Sequence, residues 1–211
     1  MIDSFLTVSE FNQSEIKVKG SRFISSISPV WNEISAMEFI VRISSEFRDS
    51  THNCYAYRIG IGNDARIRYS DAGEPSGTAG SAILSVIKNS GITNVALIVT
   101  RYFGGTKLGT GPLRRAYRDS ALSVIRSSRL ETRYYTQRYS FAIPYGVLKD
   151  TRRILKNLSA EIFHEEYLNE ARFVVDVRKS LAREFEEKFR EMTKGKVRLS
   201  PIGGQKDLHF S

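Results

Sequence analysis

The sequence predicts an α+β protein of two domains, and three observations lead there. The apolar run Val95-Ala-Leu-Ile-Val99 passes directly into Thr100-Arg-Tyr-Phe-Gly-Gly-Thr-Lys-Leu-Gly-Thr-Gly111, then Pro112 and a helical pattern. A buried strand thus ends in a glycine-dense loop that feeds a helix with Pro112 preset for its first turn. From residue 134 onward the patterns follow the order β-α-β-β-α-β, that of a ferredoxin-like fold with helices on one face of an antiparallel sheet. Arg129 to Arg133 reads as the junction, giving domains at 1–131 and 132–211.

In the first domain, Phe5 to Val8, Glu15 to Val18 and Arg22 to Val30 read as strands, the last with Phe23, Ser25 and Ile27 on one side. Asn32 caps a helix whose apolar positions are Ile34, Met37, Ile40, Val41 and Phe47. His52 to Ile59 and Ile67 to Ser70 are extended, Asp71 to Gly77 is a loop, and Thr78 to Ser90 is a helix ending at Gly91. Strand 95–102, the glycine loop and a helix from 112 to about 128 complete it. That helix has an apolar stripe, Leu113, Ala116, Tyr117, Ala121 and Val124, and a basic one, Arg115, Arg118, Arg126 and Arg129.

The second domain runs as strand 134–143, helix 145–158, strands Glu161–Tyr167 and Ala171–Val177, helix Leu181–Met192 broken at Gly195, and strand Val197–Ile202. The tail after Ile202 reads as frayed.

Composition narrows the function. With 41% hydrophobic and 26% charged residues, the 211-residue chain is that of an ordinary globular protein, and no apolar run approaches a membrane span. Met1-Ile-Asp-Ser-Phe lacks the basic start and apolar middle of a secretory signal. Cys54 is the sole cysteine, so an internal disulfide is excluded and a cytoplasmic setting is expected. One cysteine and three scattered histidines argue against a zinc site, and neither a metal nor a cofactor is expected. The net charge is +9 and the pI about 9.7, a balance that favours phosphate-bearing partners. Both domains carry 16 basic residues, but 101–129 holds seven against one acid, Asp119.

The candidate site follows from that concentration. Arg101, Lys107, Arg114, Arg115 and Arg118 surround the loop, and Gly104, Gly105, Gly109 and Gly111 expose backbone donors near a helix start, a combination suited to anions. The loop lacks the Gly-Lys-Ser/Thr ending of a Walker loop and the third glycine of a dinucleotide fingerprint. His52, Asp71 and Glu74 are expected to line the site. Asp71 and Glu74 read first as cap and turn residues, and otherwise as groups for a metal, a sugar hydroxyl or an arginine such as Arg101. His52 and Cys54 share a strand face but lack a third orienting residue, so Cys54 reads as a buried structural thiol and no catalytic residue is assigned. Base stacking is open to the aromatics beside the loop, Tyr102 and Phe103, with packing the expected role of at least one.

Ser70-Asp-Ala-Gly-Glu-Pro-Ser-Gly-Thr-Ala-Gly80 and Thr100-Arg-Tyr-Phe-Gly-Gly-Thr-Lys-Leu-Gly109, with His52-Asn-Cys-Tyr-Ala56, resemble the YigZ/Impact family over residues 20–125. The second half looks like the C-terminal domain of bacterial members. The resemblance implies a ribosomal-protein-like α/β first domain, similar to domain four of elongation factor G, and a second domain similar to its fifth. Both imply RNA or ribosome contact by fold analogy. Eukaryotic members regulate translation by antagonising activation of the amino-acid-starvation kinase through its activator, and they carry an additional N-terminal interaction domain. This chain starts almost directly with the shared domain. It also has Ala72 where the family commonly has a second acid, Ala82 in place of a proline and Pro112 in place of a glycine. These departures weigh against a metal-dependent enzyme more than against anion binding. The expected function is therefore a cytoplasmic, translation-associated regulator that binds RNA, the ribosome or another phosphate-bearing partner through the glycine loop. The alternatives are a nucleotide-binding or phosphoester-processing enzyme, and a protein-interaction regulator that touches no nucleic acid.

Overall fold

A computed structural model of the protein describes residues 3–202. The described residues divide into two compact units, one of residues 5–133 and one of residues 134–202 with residues 3–4.

The first unit is built from β1 (Ser4–Val8), β2 (Asn12–Val18), β3 (Ser21–Pro29), α1 (Glu33–Glu46), β4 (His52–Ile59), β5 (Arg66–Ser70), α2 (Gly80–Asn89), β6 (Val95–Tyr102), α3 (Thr110–Ser127) and β7 (Leu130–Tyr134). Five strands form one sheet in the order β2-β3-β6-β4-β5, with every neighbouring pair antiparallel. β1 and β7 pair as a separate two-stranded ribbon. Central β6 is buried from Val95 to Arg101, because helices cover both faces of the sheet and an alternating strand would leave polar groups against one of them. On one face Phe23, Ile27, Cys54, Leu97 and Val99 pack with Ile83 and Ile87 of α2 and Leu113, Tyr117 and Val124 of α3. On the other, Tyr57, Ile59, Ala96 and Ile98 pack with Ala36, Phe39, Ile40 and Ile43 of α1.

Local chemistry sets the helix ends. Asn32 Oδ1 accepts from Ser35 N–H at 2.8 Å while Ser35 Oγ accepts from Asn32 N–H at 3.2 Å, a reciprocal cap that starts α1. The face α1 buries agrees with the predicted one at Met37, Ile40 and Phe47 and departs from it at Ile34, 70% exposed, and Val41, 58% exposed. Apolar residues occupy two stripes of this helix, and the sheet takes the unbroken 36-39-40-43 set that carries Phe39. Helix α3 begins at Thr110, so Pro112 is its third residue, still in the first turn where the absent N–H costs nothing. All five residues of its predicted stripe are buried.

The second unit contains β8 (Thr136–Ile143), α4 (Leu148–Asn157), β9 (Glu161–Tyr167), β10 (Ala171–Arg178), α5 (Ala182–Thr193) and β11 (Ser200–Ile202). Its sheet order β11-β8-β10-β9, antiparallel throughout, is the ferredoxin-like arrangement. Phe141, Ile143, Phe173 and Val175 meet Leu155, Phe185 and Phe189 in its core. The predicted strand 134–143 starts at Thr136, because the chain up to Tyr134 belongs to the ribbon with β1. The last strand is shorter than predicted, and the tail beyond Ile202 lies outside the described residues.

One close approach positions the glycine loop. A Cβ on Gly104 would lie 2.0 Å from the Gly20 carbonyl carbon and 2.3 Å from Ser21 N, so the loop rests directly on the β2–β3 turn. Gly104→Ala is expected to cost on the order of 3 kcal/mol, read as a lower urea midpoint. Gly111→Ala, where a Cβ meets open space inside a helix, is expected to be neutral or slightly stabilising in the same assay.

Candidate functional site

Arg101 lies opposite His52 of β4 and Phe23 of β3, near the end of β6. Only 5% of it is exposed. Its Nη1 donates to Glu74 Oε1 at 2.7 Å and its Nη2 to Ser21 Oγ at 3.4 Å. Nε has no partner among the described residues. The guanidinium carbon is 5.5 Å from the ring centroids of both Phe23 and Phe103, a cation–π environment that offsets part of its desolvation.

Glu74 is 8% exposed and is the hub of the cluster. Besides Arg101, its Oε1 accepts from the Tyr117 hydroxyl at 2.8 Å, and His52 Nε2 lies 3.9 Å from Oε2. His52 Nδ1 is 2.8 Å from the Ala72 carbonyl, which can only accept, so Nδ1 carries the proton. The Cys54 thiol donates to the Asp71 carbonyl at 2.9 Å and contacts the Tyr117 hydroxyl at 3.4 Å. Loop 71–79, the sheet and α3 are thereby joined by one buried polar network.

The carboxylate of Asp71 has a different task. It accepts N–H bonds from Gly77 at 2.8 Å, Ala79 at 2.9 Å and Gly80 at 2.8 Å, and so caps α2 from a loop position nine residues before the helix starts. Burial alone pushes this carboxyl upward, but the three amides outweigh it and hold it below its usual range. Burial pushes the Cys54 thiol up to about 12. Burial also pushes the Tyr117 phenol up, with Cys54 and Glu74 adding to the rise. Both groups stay protonated in neutral solution, which leaves neither as an activated nucleophile.

The remaining predicted residues face outward. Gly104, Gly105, Lys107, Gly109, Gly111, Arg114, Arg115 and Arg118 are all exposed, whereas Arg101 alone of the predicted cations is buried. Gly109 precedes α3 at φ 76°, and no side chain caps that helix, so the Thr110 and Gly111 amides stay available. Arg118 shares its guanidinium with Asp119 at 3.0 Å. A depression of about 430 Å³ lined by Asp119, Leu122, Ser123, Arg126 and Ser127 lies farther along α3. The loop start is anchored: Phe103 N–H donates to Thr51 Oγ1 at 3.0 Å and Gly104 N–H to Ser21 Oγ at 3.1 Å. Sequence reasoning did not find Tyr117 and Ser21 as members of the network. The available signal was a tyrosine in a buried stripe, whose hydroxyl must find a partner. Among the described residues, no three His, Cys, Asp or Glu side chains form a group that could hold a metal ion.

Two outcomes follow from the network. Glu74→Ala leaves the Arg101 charge buried and unpaired and is expected to cost about 3–5 kcal/mol in urea unfolding. Adding Arg101→Met should return part of that loss. For Asp71 the folded pKa lies below its ordinary value of 3.8, so its stabilisation is present above that value and lost as pH falls through the folded one. Asp71→Asn is therefore expected to remove part of the acid limb of the stability–pH curve, measured by thermal unfolding at successive pH values.

Residues 19–125 match the Impact N-terminal domain, and residues 141–196 match a domain of unknown function, DUF1949. The chain is 36% identical over 202 residues to the IMPACT family member YvyE of Bacillus subtilis (strain 168), covering 93% of this chain and 90% of that protein. It is 28% identical over 187 residues to the IMPACT family member YigZ of Escherichia coli (strain K12), covering 88% and 92%. A solved structure described as the crystal structure of a hypothetical protein superposes with a TM-score of 0.70 at 26% identity, over 96% of this chain and 99% of that one. With its N-terminal domain matched over residues 19–125 and a 36% identical relative spanning 93% of its length, the chain belongs to the Impact family.

Proposed function

We propose that the protein is a cytoplasmic, translation-associated regulator that holds RNA backbone, free or in the ribosome, on the cations and amides between Gly105 and Arg118. The observation that carries this reading is how charge is sorted over residues 101–129. Of seven cations, only Arg101 is buried, and it is neutralised by Glu74; the other six are exposed with Asp119 as their one acidic neighbour in the segment. Lys107, Arg114 and Arg115 supply phosphate-directed charge, Gly105, Gly109 and Gly111 let the backbone approach, and the uncapped start of α3 adds two amide donors. Family membership supports a role in translational control, since the resemblance to Impact proteins carries that association.

The phosphoester-processing alternative needs an acid–base pair with free valence. Glu74 Oε1 is held by Arg101 and Tyr117, Asp71 by three amides, and the Cys54 thiol is kept protonated, which leaves only the buried Glu74 Oε2, 3.9 Å from His52 Nε2, as an acid–base contact among the described residues of the site. The exposed groups left unengaged around the glycine loop are cations and amides, which suit binding better than proton transfer. A purely protein-directed role would require a partner that presents an acidic surface to the basic stripe of α3.

The test is fluorescence anisotropy of a labelled single-stranded RNA across a salt series. Binding at low salt should weaken steeply with added salt, and Lys107→Ala, Arg114→Ala and Arg115→Ala should each lower the log–log slope by about 0.7. Negligible binding at low salt overturns the reading, as does a triple variant that binds like the parent. Co-purification of one protein partner that survives nuclease treatment, without RNA binding, would support the protein-directed alternative instead.

A further inference from the structure

Phe103 follows the last residue of β6, and its ring is 46% exposed. Its neighbour Tyr102 is committed elsewhere: its hydroxyl donates to Asp49 at 2.8 Å and its ring sits 5.4 Å from the Arg22 guanidinium. Phe103 has no such engagement on its solvent side, yet it is held in place. Its own N–H is bonded to Thr51 Oγ1, the next amide to Ser21 Oγ, and Gly104 is pressed onto Gly20. Beside the ring lies the buried Arg101 guanidinium, itself wedged by Phe23 and locked by Glu74.

Downstream the chain offers space instead of side chains. Gly104 and Gly105 follow the ring directly, and a Cβ at Gly105, Gly109 or Gly111 would meet nothing within 4 Å. The first exposed cation, Lys107, lies four residues on. A rigid aromatic face, a clearing without side chains and then phosphate-directed charge is the arrangement that a base and its neighbouring phosphates require. An apolar peptide would meet a cationic rim, and a bare phosphate would make no use of the ring.

We propose that Phe103 is a stacking platform for an unpaired base, so that the ligand of the glycine loop is single-stranded RNA rather than duplex; this rests on the RNA-binding reading above. A base within a duplex has both faces covered by its neighbours, whereas an unpaired base presents a free π-face. The backbone beneath the ring is ordered by the loop anchors and the ring lies 5.5 Å from the Arg101 guanidinium, so stacking demands little further immobilisation. Because stacking contributes no charge, it tunes affinity without changing the salt slope that the loop cations set.

The experiment compares a labelled oligoadenylate with a duplex RNA of equal length at one salt concentration, using anisotropy. The parent is expected to prefer the single strand. Phe103→Ala should weaken oligoadenylate binding about tenfold, leave the salt slope unchanged and leave duplex binding unchanged. Phe103→Trp should retain affinity, with emission quenched on RNA addition beyond any change from Trp31. Phe103→Leu keeps apolar bulk without a π-system and should fall with the alanine variant. If Phe103→Ala and Phe103→Leu both bind oligoadenylate like the parent while Lys107→Ala still weakens it, the stacking role is overturned and the RNA reading stands. If the parent binds no RNA at low salt, both fall.

Discussion

The first unit depends on a single ion pair, Arg101 with Glu74, buried where α2, α3 and the sheet converge. Removing two charges from water is costly, and the attraction repays it only if the geometry is good and the remaining valences are satisfied. Here the pair is short, at 2.7 Å, the carboxylate takes a second bond from Tyr117, and the guanidinium has two aromatic rings beside it. The compensation stops short of complete, since Arg101 Nε is without a partner among the described residues. An apolar cluster of the same volume would pack with less penalty. What the charged pair adds is specificity: Arg101 accepts a loop only if Glu74 is delivered to it, so the path of residues 71–79 is bound to the end of β6.

Delivery of Glu74 in turn relies on Asp71. Its three amide bonds close the loop onto the first turn of α2, and Glu74 N–H bonds back to the Asp71 carbonyl at 2.9 Å. The two acids of the loop are thus consecutive parts of one scaffold, one organising backbone and the other neutralising Arg101. Cys54 and His52 complete the seal by bonding the carbonyls of Asp71 and Ala72. These bonds pin the acidic loop along the end of β4, and they leave the glycine loop as the part of the site with unengaged donors.

Much of this was legible in the sequence, and the residues show why the rest was not. The unbroken apolar run of β6, the α3 stripe and the β-α-β-β-α-β order each rest on a periodicity with one solution, and they read correctly. The α1 face was legible at Met37, Ile40 and Phe47, but only the sheet chooses Ala36, Phe39 and Ile43 over Ile34 and Val41 to complete it. Arg101 was legible as a site residue by its position beside the glycines. Its inward direction was not, because burying an arginine depends on a carboxylate 27 residues away that only the fold brings near. Asp71 was legible as a cap or turn residue, but not the amides it serves, which lie six to nine residues downstream.

This division of labour within one short segment explains how a glycine loop flanked by cations can stay both open and ordered. Like charges clustered on a flexible loop repel each other and favour an extended ensemble, which would raise the entropic cost of capturing a polyanion. In this chain the cation nearest the strand is taken out of that repulsion by Glu74 and spent on rigidity, and Gly104 is seated on Gly20. The cations that remain are carried by the loop beyond this anchor and by α3, whose backbone is held by its own hydrogen bonds. Charge is therefore presented from a scaffold held by its own bonds, and the proposed polyanion would spend little binding energy on ordering the site.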